Sequence, residues 1–320
     1  MQTRLTELLQ IEHPVMLAGM GGVAYHELVV AVSNAGGIGT LGAAPLTLEL
    51  MEREIEAINK GTDKPFGVDL LAALPESLTR GVELIVSGGA ALFVAGLGVP
   101  RDIIGRLHEA GVLVASMCGK VRHAVSAVES GCDFVIVQGT EAGGHTGLIA
   151  TMPLVPQVVD AVSERVPVVA AGGIFDGRGL AAAIALGADG VWMGTRFIAT
   201  PEARTVRGYK DALLRSAEDG TVISKGYSGK PMRTVRNEWT NYVEEHPDVL
   251  RPFPEMMLHS LENGVLHLGG NEDTEVNIDR ECYPAGQAVG AIEALTPAGD
   301  VVRAVVREAE QTLDRLRALK

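Results

Sequence analysis

The segment from Gln138 to Gly147 holds four glycines around a single histidine, His145, with Thr140 and Glu141 beside them. An imidazole gains and loses its proton near neutral pH, so a backbone that can press it against a ligand offers a general acid or base. The competing reading makes His145 a turn residue with one hydrogen bond and Glu141 a solvated loop acid.

Two other glycine-bearing stretches suit an anion. Gly172 and Gly173 lead to Asp176 and Gly177, where bare backbone N–H groups can approach a phosphate and Asp176 can cap a following helix. Trp192, Met193, Gly194, Thr195 and Arg196 add a further glycine, a hydroxyl and a cation. Taken alone, a Gly-Gly pair could make only a tight turn, and Arg196 could pair only with a carboxylate on the rim. Cys118 could line the same pocket or be a small buried hydrophobe. Eight histidines without ligand spacing imply no metal site.

These residues need a frame that brings them together. Short β-rich apolar runs recur at Val15 to Gly19, Ile38 to Leu41, Phe66 to Leu70, Leu92 to Leu97, Val112 to Met117, Phe134 to Val137, Val168 to Ala171 and Gly190 to Met193. Helical spacing fills the gaps, as in Leu46 to Ile58 and Ile103 to Ala110. Strands alternating with helices predict a parallel sheet, and eight units close into an α/β, (β/α)8 TIM barrel. In that fold ligands bind at the carboxyl ends of the strands, and phosphate is commonly held after the seventh and eighth. Both glycine stretches and His145 follow late runs, so all three are expected at one mouth.

The rhythm stops after the eighth run. Residues 201–291 read as an insertion of helices and loops, a lid, while 1–200 and 292–320 make the barrel and its terminal helix. Val302, Val305, Val306, Ala309, Leu313 and Leu316 form the apolar stripe of that helix. A net charge of −13 gives no electrostatic support for nucleic-acid or anionic-membrane binding. Three unpaired, widely spaced cysteines fit a reducing cytoplasm, and no uncharged apolar run is long enough to span a membrane. A small-molecule enzyme is the expectation.

Several of these motifs together resemble the nitronate monooxygenase (2-nitropropane dioxygenase-like) family, whose relatives include flavin-dependent enoyl-ACP reductases and an NADH:quinone reductase. The likeness is carried by Gly19 to Gly21, Asn34 to Gly37, Pro65 to Val68, Glu141 to His145, Gly172-Gly173 and Gly194 to Phe197, with Tyr227 to Arg233 beyond them. It implies FMN as cofactor, with Gly172, Gly173, Trp192, Met193, Gly194 and Thr195 at its phosphate end. Gly19 and Met20 would line the isoalloxazine, and Gln138 and Gly143 would contact it. His145 would be the catalytic base toward a nitroalkane.

One position departs from the family. Asp69 stands where Asn is usual. An ionised carboxylate only accepts hydrogen bonds, so Asp69 could hold the flavin N3–H or a ribityl hydroxyl and would disfavour an anionic flavin. Three functions follow from the resemblance and the residues: oxidation of alkyl nitronates with dioxygen, NAD(P)H-dependent reduction of an enoyl thioester or quinone, or flavin binding without turnover.

Overall fold

The computed structural model describes residues 1–70, 75–96 and 101–319, with side chains from Leu78 onward in the second segment. The barrel strands are β1 (Val15–Leu17), β2 (Gly39–Gly42), β3 (Phe66–Leu70), β4 (Leu92–Ala95), β5 (Leu113–Cys118) and β6 (Phe134–Gln138). After the short β7 (Gly144–His145) come β8 (Val168–Ala171) and β9 (Gly190–Met193). The sheet order is β1-β9-β8-β6-β5-β4-β3-β2, and each neighbouring pair is parallel. A parallel bridge between Met16 and Ile38 joins the two ends, with Leu17 N donating to Ile38 O at 2.9 Å. The eight expected runs are the eight strands of a (β/α)8 barrel, although Leu97 lies outside the described residues.

The eight barrel strands are largely buried on both faces, as a parallel barrel requires, so their runs are mostly apolar rather than alternating. In β6, Phe134 and Ile136 point into the barrel, while Val135 and Val137 face the surrounding helices. The amino end is plugged: Leu5 and Leu9 of the helix Arg4–Leu9 join the interior cluster with Met16, Ile38 and Trp192. The opening is therefore at the carboxyl ends.

The terminal helix Ala298–Arg317 packs chiefly on the helix Gly177–Ala185, burying Val302, Val305, Val306 and Ala309. Gly177 makes that approach feasible, since a Cβ there would collide with the backbone N of Ala309. The expected stripe ends early. Leu313 is only partly buried and Leu316 is 45% exposed, because the helix outruns the partner beneath it.

Residues 201–291 contain the helices Tyr209–Arg215, Glu238–Glu245 and Glu255–Glu262, as expected, together with two strands that were not: β10 (Thr221–Ser224) and β11 (Met232–Val235). With β7 they form an antiparallel sheet of order β10-β11-β7, in which Met232 pairs with His145 and Arg233 with Gly144. A separate apolar cluster around Tyr227, Trp239, Val243, Met256 and Val265 holds this region. The insertion is thus sewn directly to the histidine loop.

Candidate active site

The loop after β6 is shaped by contacts that only glycine permits. A Cβ on Gly139 would collide with Thr151, and one on Gly143 would stand 2.7 Å from the backbone carbon of Ala285. Gly144 has a φ of +74°, a left-handed conformation in which a Cβ is strained. Buried Arg233 donates from Nε to Thr140 O at 3.0 Å, and Gln138 Nε2 donates to His145 O at 2.8 Å. Glu141 accepts from Thr151 N at 2.9 Å and from Thr151 Oγ1 at 2.9 Å. Its charge sits at the start of the helix Thr151–Val162, where the helix dipole favours an anion, so Glu141 is a structural brace and not a solvated acid.

His145 emerges from this braced loop with its side chain open to solvent. Its Nε2 lies 2.8 Å from Ser228 Oγ, and Ser228 Oγ also accepts from Lys230 N at 3.3 Å. The ring's Nδ1 has no hydrogen-bond partner among the described residues. The surrounding protein, and then the Lys230 ammonium, hold the imidazole below its ordinary pKa, so it is neutral at pH 7. A neutral imidazole with one nitrogen held and the other open can accept a proton. Ser228 and Lys230 were not singled out from the sequence; only the family-like segment Tyr227 to Arg233 hinted at them.

After β8, Gly172 (φ +103°) and Gly173 (φ +73°) are both left-handed. Asp176 caps the next helix as expected, accepting from Gly179 N at 3.0 Å, and Glu308 accepts from Gly177 N at 3.2 Å. Two carboxylates thus occupy that helix start, which leaves the Gly172–Gly173 turn itself to meet an anion. After β9, Gly194 opens the short helix Thr195–Ile198, and Thr195 Oγ1 accepts from Gly286 N at 2.9 Å. Arg196 donates from Nη2 to Ala199 O at 3.4 Å and to Ala294 O at 3.2 Å, so it does not pair with a carboxylate among the described residues. Trp192 packs in the barrel interior, and the Met193 side chain faces the helical layer, so each can meet a ligand there mainly through backbone.

On the opposite rim, Asp69 lies directly over Gly19, where a Cβ would collide with the Asp69 side chain. A Cβ on Gly194 would stand 3.3 Å from Met20 Sδ, so Met20 spans from the end of β1 to the end of β9. The floor of the mouth is therefore glycine backbone, one thioether and one carboxyl, which a flat ring can cover. Asp69 keeps some exposure toward this opening, but its carboxyl has no hydrogen-bond partner among the described residues. Burial alone pushes it up to about 8. That shift favours the protonated form of Asp69 near neutral pH, and a protonated carboxyl can donate as well as accept, much as the usual Asn does.

Two other groups carry no chemistry. Cys118 is buried and its thiol is pushed up to about 12, so it behaves as a small hydrophobe. His26, Glu27 and Glu54 converge, but Arg204 already supplies the cation, reaching Glu27 at 2.8 Å and Glu54 at 3.3 Å. Among the described residues no helix is long and apolar enough to cross a membrane.

The mouth thus gathers His145, Gln138, Gly172, Gly173, Gly194, Gly19, Met20 and Asp69 at the ends of β1, β3, β6, β8 and β9. The family profile of nitronate monooxygenase matches residues 2–81 and 77–308. The chain belongs to the nitronate monooxygenase family. This family is flavin-dependent, and the chain is an enzyme of the oxidoreductase class. A Mycobacterium tuberculosis (3aS,4S,5R,7aS)-5-hydroxy-7a-methyl-1-oxo-octahydro-1H-indene-4-carboxyl-CoA dehydrogenase is 44% identical over 245 residues, covering 76% of this chain and 69% of that protein. A probable nitronate monooxygenase of Staphylococcus saprophyticus is 32% identical over 98% of this chain and 99% of its own. The solved structure of FabK from Thermotoga maritima superposes with a TM-score of 0.88 at 32% identity, covering 99% of each chain.

Proposed function

We propose that this chain is an FMN-dependent oxidoreductase acting on a coenzyme A-type thioester, with His145 moving the substrate proton. The observation that carries the reading is the neutral His145 imidazole, gripped at Nε2 by Ser228 and open at Nδ1, beside the exposed apolar side chains of Leu148 and Met152. Leu148 and Met152, in the loop and helix that follow, are 83% and 69% exposed. Such exposure at a mouth marks a surface that a ligand covers. The 44%-identical relative is named for a dehydrogenase of a fused-ring carboxyl-CoA, a substrate with a large apolar body.

The cofactor, when bound, takes up or gives back the electron pair. The protein's own groups do the rest. The Gly172–Gly173 and Gly194–Thr195 turns fit its single phosphate, Gly19 and Met20 fit a flat ring, and Asp69, when protonated, can both donate to that ring and accept from it. With Ser228 accepting from Nε2–H, the Nδ1 lone pair faces the substrate and removes a proton from carbon or hydroxyl. Leu148 and Met152 exclude water from the acyl group. The chain is read as a soluble protein of the reducing cytoplasm with small-molecule partners, and the 201–291 region as the lid over its mouth.

A second reading, oxidation of an alkyl nitronate with dioxygen, is favoured by the protonated form of Asp69. That form lacks the charge that would oppose an anionic flavin. One experiment separates the two. The yellow holoenzyme, expected to release FMN and not FAD on denaturation, is mixed anaerobically with acyl-CoA and hydroxyacyl-CoA compounds, with enoyl-CoA plus NADH or NADPH, and with a primary nitronate. Bleaching by a thioester, or by nicotinamide with enoyl-CoA turnover, supports the proposal. Rapid nitronate oxidation in air with no thioester response overturns it. Gly173→Asp should strip the flavin, because it sets bulk and negative charge against the phosphate turn.

A further inference from the structure

Away from the barrel mouth, the insertion holds a cavity of about 360 Å³ lined by Trp239, Tyr242, Asp248, Arg251, His259 and Arg280 among others. That is the low end of the roughly 300–1,000 Å³ of small-ligand pockets, room for one phosphorylated nucleoside and not for a dinucleotide. Neither Arg251 nor Arg280 has a carboxylate partner among the described residues, so both guanidinium groups are available to an anion. The Arg280 guanidinium sits over the Trp239 ring, 4.8 Å from its centroid, and Tyr242 stacks on the same indole at 5.6 Å. Trp239 is itself buried and anchored by Nε1 to Gly226 O at 2.9 Å, so it holds the guanidinium plane in place.

We propose that this pocket binds an adenosine phosphate, the base stacking on the outer face of Arg280 beside Tyr242 and a phosphate taken by Arg251. A guanidinium pinned by one aromatic ring presents its second face to another, and its edge donors suit phosphate oxygens. Asp248, in the same wall, supplies an acceptor for the purine amino group or a ribose hydroxyl. Location supports the assignment. Arg251 to Phe253 pack against Gly229, where a Cβ would stand 2.7 Å from Arg251 O, and Gly229 follows the Ser228 that touches His145. The chain that lines the pocket thus packs on the chain that holds the imidazole.

Two biological molecules share this chemistry: the 3′-phosphoadenosine end of coenzyme A and the adenosine end of a nicotinamide dinucleotide. Titration calorimetry on the FMN-loaded enzyme, with adenosine 3′,5′-bisphosphate, adenosine 2′,5′-bisphosphate, ADP and inorganic phosphate, tests the proposal and tells the sources apart. One adenosine phosphate should bind at one site per chain. Arg251→Gln with Arg280→Gln should weaken it roughly 10- to 100-fold, as expected for losing charged hydrogen bonds. Tighter binding of the 3′,5′ compound points to coenzyme A, and of the 2′,5′ compound or ADP to the nicotinamide dinucleotide. The flavin spectrum should not change, since neither arginine lies at the mouth. No binding, binding unaffected by the double substitution, or inorganic phosphate binding as tightly as the nucleotides would each overturn the proposal. These measurements do not depend on flavin bleaching, so failure here and failure of the thioester reading are separate results.

Discussion

Glu141 and Asp69 are two acids at the same barrel mouth, and their surroundings are opposite. Glu141 accepts two hydrogen bonds from Thr151 at the start of a helix, so its negative charge is fully used in holding the loop after β6. Asp69 sits on bare glycine with no partner among the described residues, and burial favours its protonated form. The contrast teaches that residue type and position do not distinguish a brace from a working group. What distinguishes them is whether the protein already satisfies the group's hydrogen bonds. By that measure Glu141 and Asp176 are spent on structure, whereas Asp69 and the Nδ1 of His145 are left for a ligand.

The sharpest way to break this division is at His145. His145→Ala should leave folding and flavin content intact, because the turns after β8 and β9 are untouched. It should lower turnover of substrates that must lose a proton by about 10²- to 10⁴-fold. A preformed nitronate, already deprotonated, should suffer less than its neutral nitroalkane. Near-native turnover of a neutral substrate by the flavin-loaded variant would return His145 to the role of a turn residue.

Glu141 should show the converse pattern, a cost to stability first and to chemistry second. Glu141→Ala removes an anionic acceptor from Thr151 N and Oγ1, which should cost about 2 kcal/mol. A lower urea midpoint with unchanged slope would show it, and Glu141→Gln should recover part of the loss. An unchanged midpoint would mean that water replaces the carboxylate, and the brace would be no brace.

How much of this was legible in the sequence follows from the range of the interactions. The eight strands were, because Phe134 to Val137 and its counterparts are unbroken apolar runs that local pattern reveals. Asp176 was legible as a cap because its partner, Gly179, is three residues away. The strands β10 and β11 were not. Their sequences, Thr221 to Ser224 and Met232 to Val235, are short and mixed, and they become strands by pairing with each other and with the distant His145 loop. Ser228 is 83 residues from the imidazole it grips, and no local spacing announces that contact. Asp69 was noticed for its type, but its charge state depends on how deeply the barrel encloses it, which the sequence does not display.

The smallest effect tests the other half of the division. A carboxyl raised from its ordinary 3.8 to about 8 in the folded protein keeps a proton that the unfolded chain gives up above roughly pH 4. Between those values the native state binds more protons. Its stability from this group is therefore complete below about pH 4 and declines as pH rises, levelling off once pH passes 8. Asp69→Asn removes that slope. Flavin-free wild type and variant should melt within a few degrees of each other at pH 5, with the variant gaining on the wild type toward pH 9. The flavin potential should follow the same logic: the two proteins should agree near pH 6 and diverge above 8, where the wild type acquires a negative charge that disfavours reduction. Parallel melting curves across the whole range would show that Asp69 is ionised throughout or reaches solvent, and the neutral-acid account of the mouth would fall with them.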